Sequence, residues 1–194
     1  MLRDKLRREL LAWIADDDAT RERLARAGSL WAEYHPEMES VHRKNADRLA
    51  EVVAAHGWPG RGLVGADGAA AAFRIAQHAI GEPARMRAWL VLLTEAAARG
   101  EADRRDAAMM EDRIRVFESQ PQRYGTQLDW NEAGDVIVPM GTVEAPETID
   151  ERRREVGLPP LEWLRPPPPG ETPPLDIAAH RRELDSWARR TGWR

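Results

Sequence analysis

The sequence contains no cysteine, no long apolar run and no block of charge of one sign. Without cysteine it has no disulfides, no thiolate metal ligands and no cysteine nucleophile, which is compatible with a reducing cytoplasm. No segment approaches the roughly 20 apolar residues of a membrane-spanning helix. The charged N-terminus is unlike a signal peptide. We therefore expect a soluble, cytoplasmic protein with no membrane partner.

Acidic and basic residues are mixed along the chain, whose net charge is −4. Nucleic-acid-binding proteins usually carry a concentrated basic stripe, so we predict no nucleic-acid partner. Three cofactor and catalytic motifs are also missing: the G-x-S-x-G elbow, the phosphate-binding glycine loop with lysine, and the dinucleotide fingerprint. We accordingly predict no cofactor.

Apolar residues recur at three- and four-residue spacings through most of the first 120 residues, which predicts helices. The predicted helices are Leu2–Ala15, Ala19–Gly28, Pro36–His56, Ala69–Ile80, Pro83–Gly100, Asp103–Ser119, Pro146–Val156 and Leu175–Thr191. A break at Asp16-Asp17-Asp18 separates the first two. Gln127–Trp130 and Val136–Pro139 flank a turn and predict a small β-hairpin. The fold class is therefore mainly α: a compact domain of about six to seven helices with one small hairpin, followed by an extended proline-rich tail that ends in a helix.

Proline divides the C-terminal part of the chain from the rest. We predict one helical domain over residues 1–165, in which residues 1–36 form an N-terminal helical extension. Residues 166–174 are a stiff polyproline spacer, and residues 175–194 form a C-terminal helix. This helix docks either on the domain or on a second copy, so a homodimer through it is one expectation.

Several polar residues interrupt apolar faces. Asn45 lies on the inward face of its helix, where it is either a structural staple or a pocket group. Gln77 and His78 lie near the end of an alanine-rich helix that is apolar nearly all round, and His78 is either a hydrogen-bonded core histidine or a functional one. Asp112 and Arg113 lie off the apolar stripe, as a solvated pair or as groups that reach the Tyr124 loop.

The segment Glu118–Trp130 brings polar side chains into a tight glycine turn directly after a helix. Binding residues are disproportionately found on such loops. The polar residues of the segment that we single out are Gln122, Tyr124, Thr126 and Gln127.

The motifs that carry a family resemblance are Asn45, Gly57-Trp58-Pro59, Gly65, Gln77-His78-Ala79, Asp112-Arg113, Gln122, Tyr124-Gly125-Thr126-Gln127, Arg152-Arg153 and Val156-Gly157-Leu158. Together they resemble a bacterial family of small proteins known only as a domain of unknown function. The resemblance covers roughly residues 41–164 and implies a shared fold and pocket, with no named activity. His42 stands where the family pattern has Asp, and Met86-Arg87 where it has Phe-Gln.

The polar residues form a set suited to acid–base chemistry. We predict His78 as general acid or base, Asp112 as its partner and Tyr124 as a second proton donor. The predicted substrate-binding residues are Asn45, Gln77, Arg113, Gln122, Thr126 and Gln127. The first hypothesis is therefore an enzyme of biosynthesis that needs no cofactor. It would be a lyase, isomerase, cyclase or hydrolase acting on a polar or carboxylate-bearing metabolite.

Two other hypotheses remain open. The same polar set would also serve a non-catalytic module that binds a small molecule or a protein partner. In a metal-dependent helical bundle, His35, Glu39 and His42 would be ligands, because their spacings of four and three place them on one helix face. No second E-x-x-H motif accompanies them, and we predict no metal.

Overall fold

A computed structural model describes residues 2–29, 34–167, 169 and 172–194. The described part contains seven α-helices and one two-stranded antiparallel sheet, which confirms the predicted fold class. The chain divides into two compact units, residues 1–107 and residues 108–194. Residues 30–33, between the predicted helices Ala19–Gly28 and Pro36–His56, and residues 168, 170 and 171 of the predicted spacer lie outside the described residues.

The first helix, α1, runs without a break from Leu2 to Arg26. The predicted separation into two helices at Asp16-Asp17-Asp18 is therefore wrong. An Asp in a helix interior costs only about 0.7 kcal/mol relative to Ala, whereas α1 buries Leu10, Ile14 and Leu24 on both sides of the triplet. Packing of this apolar stripe outweighs the local preference to end the helix.

Helices α2 and α4 begin and end close to where the sequence predicts. The bounds are Pro36–His56 for α2 and Pro83–Ala98 for α4. Proline stands at the first position of both helices, where its missing N–H costs nothing. Gly57 ends α2 with a φ of 72°, a conformation that favours glycine.

Helix α3 (Arg61–His78) begins earlier than predicted, and its backbone is interrupted at Gly65. Glu101 explains the early start, because its carbonyl accepts from the Arg61 N–H at 2.8 Å and its carboxylate accepts from the Gly62 N–H at 2.6 Å. These bonds satisfy amides that a helix start leaves without partners. In the first unit, α1 packs against α2 and α3, and α3 also contacts α4.

Helix α5 (Arg104–Phe117) runs across the unit boundary, and the remaining elements belong to the second unit. These elements are β1 (Leu128–Trp130), β2 (Ile137–Pro139), a 3₁₀ turn (Pro146–Thr148), α6 (Ile149–Glu155) and α7 (Ile177–Thr191). The strands pair with Asp129 opposite Val138. The hairpin and the C-terminal helix are therefore confirmed.

Aromatic residues join α7 to the end of α5 within the second unit. The Phe117 ring stacks on Trp193 with centroids 5.1 Å apart, and its edge meets Trp187 at 5.6 Å. The Asp176 carboxylate accepts from the Ala179 N–H and caps the start of α7. Docking within one chain thus takes place, while the homodimer through this helix stays a prediction.

None of the described helices is both long enough and apolar enough to cross a membrane.

Candidate functional site

Three helices of the first unit bring one carboxylate and two imidazoles together. Asp17 comes from the middle of α1, His42 from α2 and His78 from the last position of α3. Asp17 continues the buried stripe of α1 and is only 1 % exposed. One residue further on, Asp18 pairs with Arg74, which lies one helical turn before His78 and ties α1 to α3.

A single carboxylate oxygen lies beside both imidazoles. Asp17 Oδ2 is 2.9 Å from His78 Nδ1 and 3.3 Å from His42 Nε2. The two ring centroids are 5.1 Å apart. Burial disfavours the charge on Asp17, but the adjacent His42 and His78 imidazoles stabilise it more strongly and hold the pKa of Asp17 well below its usual range. The carboxylate is therefore ionised at neutral pH.

His42 has a second polar neighbour on its other nitrogen. The Tyr34 hydroxyl lies 2.6 Å from His42 Nδ1, and the two rings stack. A cavity of about 10 Å³ beside this pair is bounded also by Ala79 and Glu82. Room for one water molecule needs roughly that volume, so the cavity can hold one.

In the second unit, Asp112 holds the Tyr124 loop. Its side chain is fully buried and accepts from the N–H groups of Arg123 at 2.7 Å, Tyr124 at 3.1 Å and Thr126 at 2.9 Å. The Thr126 hydroxyl also donates to it, at 2.9 Å. The expectation that Asp112 reaches this loop is confirmed, and the alternative of a solvated pair is wrong.

Two glutamines complete the loop. Gln122 is fully buried, donates to the carbonyls of Gln127 and Met140, and accepts from the Gln127 N–H. The Gln127 side chain accepts from Arg113 Nε at 2.8 Å and donates to the Met109 carbonyl. Each of these bonds fixes one chain segment to another.

Tyr124 is also buried, and burial together with the negative charge of Glu111 raises the pKa of its phenol. The Arg123 guanidinium lies 5.6 Å from the ring centroid. The tyrosine is consequently uncharged at neutral pH, the form in which a phenol donates a proton.

Gly125 gives the loop a conformation that other residues rarely adopt, with a φ of 62°. A Cβ there would also lie 3.0 Å from Leu161 Cδ2. We expect Gly125→Ala to lower the free energy of unfolding by about 2 kcal/mol, from left-handed strain and from displaced Leu161. Urea unfolding followed by circular dichroism measures it.

Gly157→Ala is the matched control, because Gly157 has a φ of 78° and no described atom lies within 4 Å of its Cβ position. Its free energy of unfolding should fall by only about 1 kcal/mol, which is the cost of placing a residue with a Cβ in the left-handed conformation. Equal losses in the two variants would show that the contact with Leu161 contributes nothing.

The remaining predicted site residues lie in the first unit. The Asn45 side chain donates to the Trp13 carbonyl at 3.1 Å and so joins α2 to α1, as expected of a structural staple. Gln77 is buried next to His78. His35 accepts from the Glu37 N–H at the start of α2, and Glu39 pairs with Arg43.

The predicted site residues therefore form two sets, each with its own partners. His78 lies with His42 and with Asp17, a residue that is not among the predicted site residues. Asp112, Arg113, Gln122, Thr126 and Gln127 bond to one another or to the loop backbone. The shared pocket of His78, Asp112 and Tyr124 stays a prediction. The spacing of Asp17 in the sequence could have identified it as buried. It follows Ile14 by three residues and so continues the apolar stripe of α1.

A groove of about 640 Å³ also lies in the second unit, with Phe117, Met140, Leu184 and Ala188 among its lining residues. Small-molecule sites commonly have such a volume. None of the predicted site residues is among the described residues that line it.

Residues 4–165 match a family of unknown function, DUF6624. The chain belongs to the DUF6624 family. The matched region contains the Asp17, His42 and His78 cluster and the whole Asp112-bound loop, whereas α7 follows it. The predicted resemblance to a family of unknown function is confirmed, but the match begins at residue 4 rather than near residue 41 and so includes α1. No curated protein and no solved structure shows significant similarity to this DUF6624 protein.

Proposed function

We propose that the chain is an enzyme that transfers protons on a small polar or carboxylate-bearing metabolite, with Asp17, His42 and His78 as its proton-transfer centre. The observation that supports the proposal is the position of one ionised carboxylate oxygen within 3.3 Å of two imidazole nitrogens on different helices. The reaction class is a lyase, isomerase, cyclase or hydrolase. The proposal keeps His78 as the acid–base residue and makes Asp17, rather than Asp112, its partner.

The carboxylate determines which form of His78 is present. With Nδ1–H directed at Asp17 Oδ2, the lone pair of a neutral His78 is on Nε2, which is the atom that accepts a proton. The imidazolium formed after proton transfer is stabilised by the adjacent negative charge, as in other Asp–His pairs. Asp17 therefore orients the base and stabilises its charged form.

His42 and Tyr34 provide a second acid–base pair. The distance of 2.6 Å between the Tyr34 hydroxyl and His42 Nδ1 is short enough for direct proton exchange. A reaction that removes one proton and returns another needs two such groups. His78 and His42 would supply them on either side of Asp17.

The test uses solvent labels, because they report proton transfer and hydrolysis without knowledge of the substrate. The full-length protein is incubated with a metabolite extract in D₂O enriched in ¹⁸O, and labelled products are identified by mass spectrometry. We expect the wild type to label at least one metabolite. Because removal of a general base typically costs 10²–10⁴-fold in rate, His78→Gln should label it about 100-fold more slowly or worse.

His56→Gln is the matched control, since His56 is an exposed histidine at the end of α2. It should label metabolites at the wild-type rate, and circular dichroism should show that both variants are folded. Absence of labelled products with the wild type, or a His78→Gln protein as active as the wild type, would contradict the proposal.

A further inference from the structure

We infer that Asp17, His42 and His78 form a binding site for one divalent transition-metal ion. Among the described residues they are the group of His, Cys, Asp or Glu side chains whose donor atoms converge, all within 4.8 Å of one another. The inference goes beyond the proposed function, because metal binding is measured without turnover and because an ion bound to His78 Nδ1 would replace the proton that this atom directs at Asp17 in the metal-free form. It also differs from the set His35, Glu39 and His42, of which only His42 belongs to the cluster.

The distances between donor atoms suit a small cation. Two ligands bound at about 2.1 Å and at angles between 90° and 109° lie roughly 3.0–3.4 Å apart. Asp17 Oδ2 is 2.9 Å from His78 Nδ1 and 3.3 Å from His42 Nε2. The two imidazoles therefore lie at ligand spacing from one carboxylate oxygen, and the three donor atoms all lie within 4.8 Å of one another.

Two buried polar atoms of the cluster provide a second, independent observation in favour of a metal site. Asp17 Oδ1 is buried and has no hydrogen-bond partner among the described residues, and His42 Nε2, also buried, lies 3.3 Å from Asp17 Oδ2 without the geometry of a hydrogen bond. A buried polar atom without a partner costs roughly 1–3 kcal/mol. A cation would coordinate the His42 lone pair and attract both carboxylate oxygens, so it would offset both costs.

Tyr34 lies where a metal-binding His42 would need a hydrogen-bond partner for its other ring nitrogen. Histidines that bind a metal through one nitrogen usually donate the hydrogen of the other to an oxygen, which fixes the ring orientation. Metal binding through His42 Nε2 leaves Nδ1–H directed at the Tyr34 hydroxyl, 2.6 Å away.

The donor set defines the class of metal. Two imidazoles and one carboxylate suit Zn²⁺, Fe²⁺ or Mn²⁺. Three protein ligands leave at least one coordination position for water, as in catalytic rather than structural zinc sites. A metal ion bound here would lower the pKa of that water and so make it a base or nucleophile near neutral pH.

The test titrates metal into the full-length protein, purified without a histidine tag and stripped with a chelator. Isothermal titration calorimetry with Zn²⁺ and Mn²⁺ measures stoichiometry and Kd, and the visible spectrum with Co²⁺ reports the coordination. We expect one ion per chain, and at least a 100-fold rise in Kd for both His42→Gln and His78→Gln. His35→Gln, the control, should bind as the wild type does.

Thermal unfolding keeps the test decisive if a variant folds poorly. Zn²⁺ should raise the Tm of the wild type and of His35→Gln and leave that of His78→Gln unchanged, because only a bound ligand shifts the folding equilibrium. Less than 0.2 ion per chain, or equal Kd values in wild type and both cluster variants, would overturn the inference. Absence of metal binding together with solvent labelling that is lost in His78→Gln would overturn the inference and leave the proposed function intact.

Discussion

Asp112→Ala should lose about 4–5 kcal/mol of unfolding free energy, the largest stability effect we expect of a single substitution. The carboxylate accepts from three backbone N–H groups and one hydroxyl and is fully buried. Alanine would leave these donors without a partner, and each buried unsatisfied group costs about 1–3 kcal/mol. Urea unfolding monitored by circular dichroism measures the total loss.

Hydrogen–deuterium exchange shows where the loss occurs. In Asp112→Asn, which preserves the shape of the side chain, peptides that cover residues 122–127 should lose protection while peptides of α2 keep theirs. Glu151→Gln serves as control because Glu151 is an exposed acid of α6. Unchanged protection of the Tyr124 loop in Asp112→Asn would refute the assignment of Asp112 as the residue that fixes it.

Arg153→Met should destabilise the second unit by about 2–4 kcal/mol. The Arg153 guanidinium is buried, donates to the Pro159 carbonyl at 2.6 Å and donates to the Tyr124 carbonyl. Methionine fills similar space but donates no hydrogen bond, so the two carbonyls lose a charged partner. Hydrogen bonds to charged groups contribute about 1.5–3 kcal/mol each. Chemical unfolding measures the loss.

The neighbouring residue offers a close control. Arg154 lies on the same helix turn, has the same charge and is exposed, so Arg154→Met should change stability by less than about 0.5 kcal/mol. Arg153→Lys should recover only part of the loss, because an ammonium group cannot reproduce the planar fork of the guanidinium. Similar losses in Arg153→Met and Arg154→Met would mean that charge, not the two carbonyl bonds, determines the effect.

Local signals in the sequence predicted much of the fold. Proline at position 36 and glycine at position 57 mark the ends of α2, and alternating apolar residues around a turn mark the hairpin. These features depend on neighbours along the chain. The start of α3 depends instead on Glu101, some forty residues away, and no local pattern indicates such a contact.

The candidate site was harder to predict for a related reason. A row of three aspartates usually ends a helix, and only the packing of α1 against α2 and α3 makes Asp17 a buried residue. Asp112 lies off the apolar stripe of α5, which predicts an exposed side chain. The Tyr124 loop covers it, and the side chain is fully buried. His78 stands out in the sequence as a polar residue on an apolar helix, whereas its partner Asp17 lies 61 residues away and is brought to it only by the packing of α1 against α3.

The unbroken course of α1 matters for anyone who shortens this protein. Asp17 lies within the first twenty residues, and it supplies the negative charge next to both imidazoles. A version that starts at Pro36 would keep His42 and His78 but expose the apolar faces of α2 and α3 and leave the two rings without their acid. Studies of the isolated C-terminal portion would thus describe a different molecule.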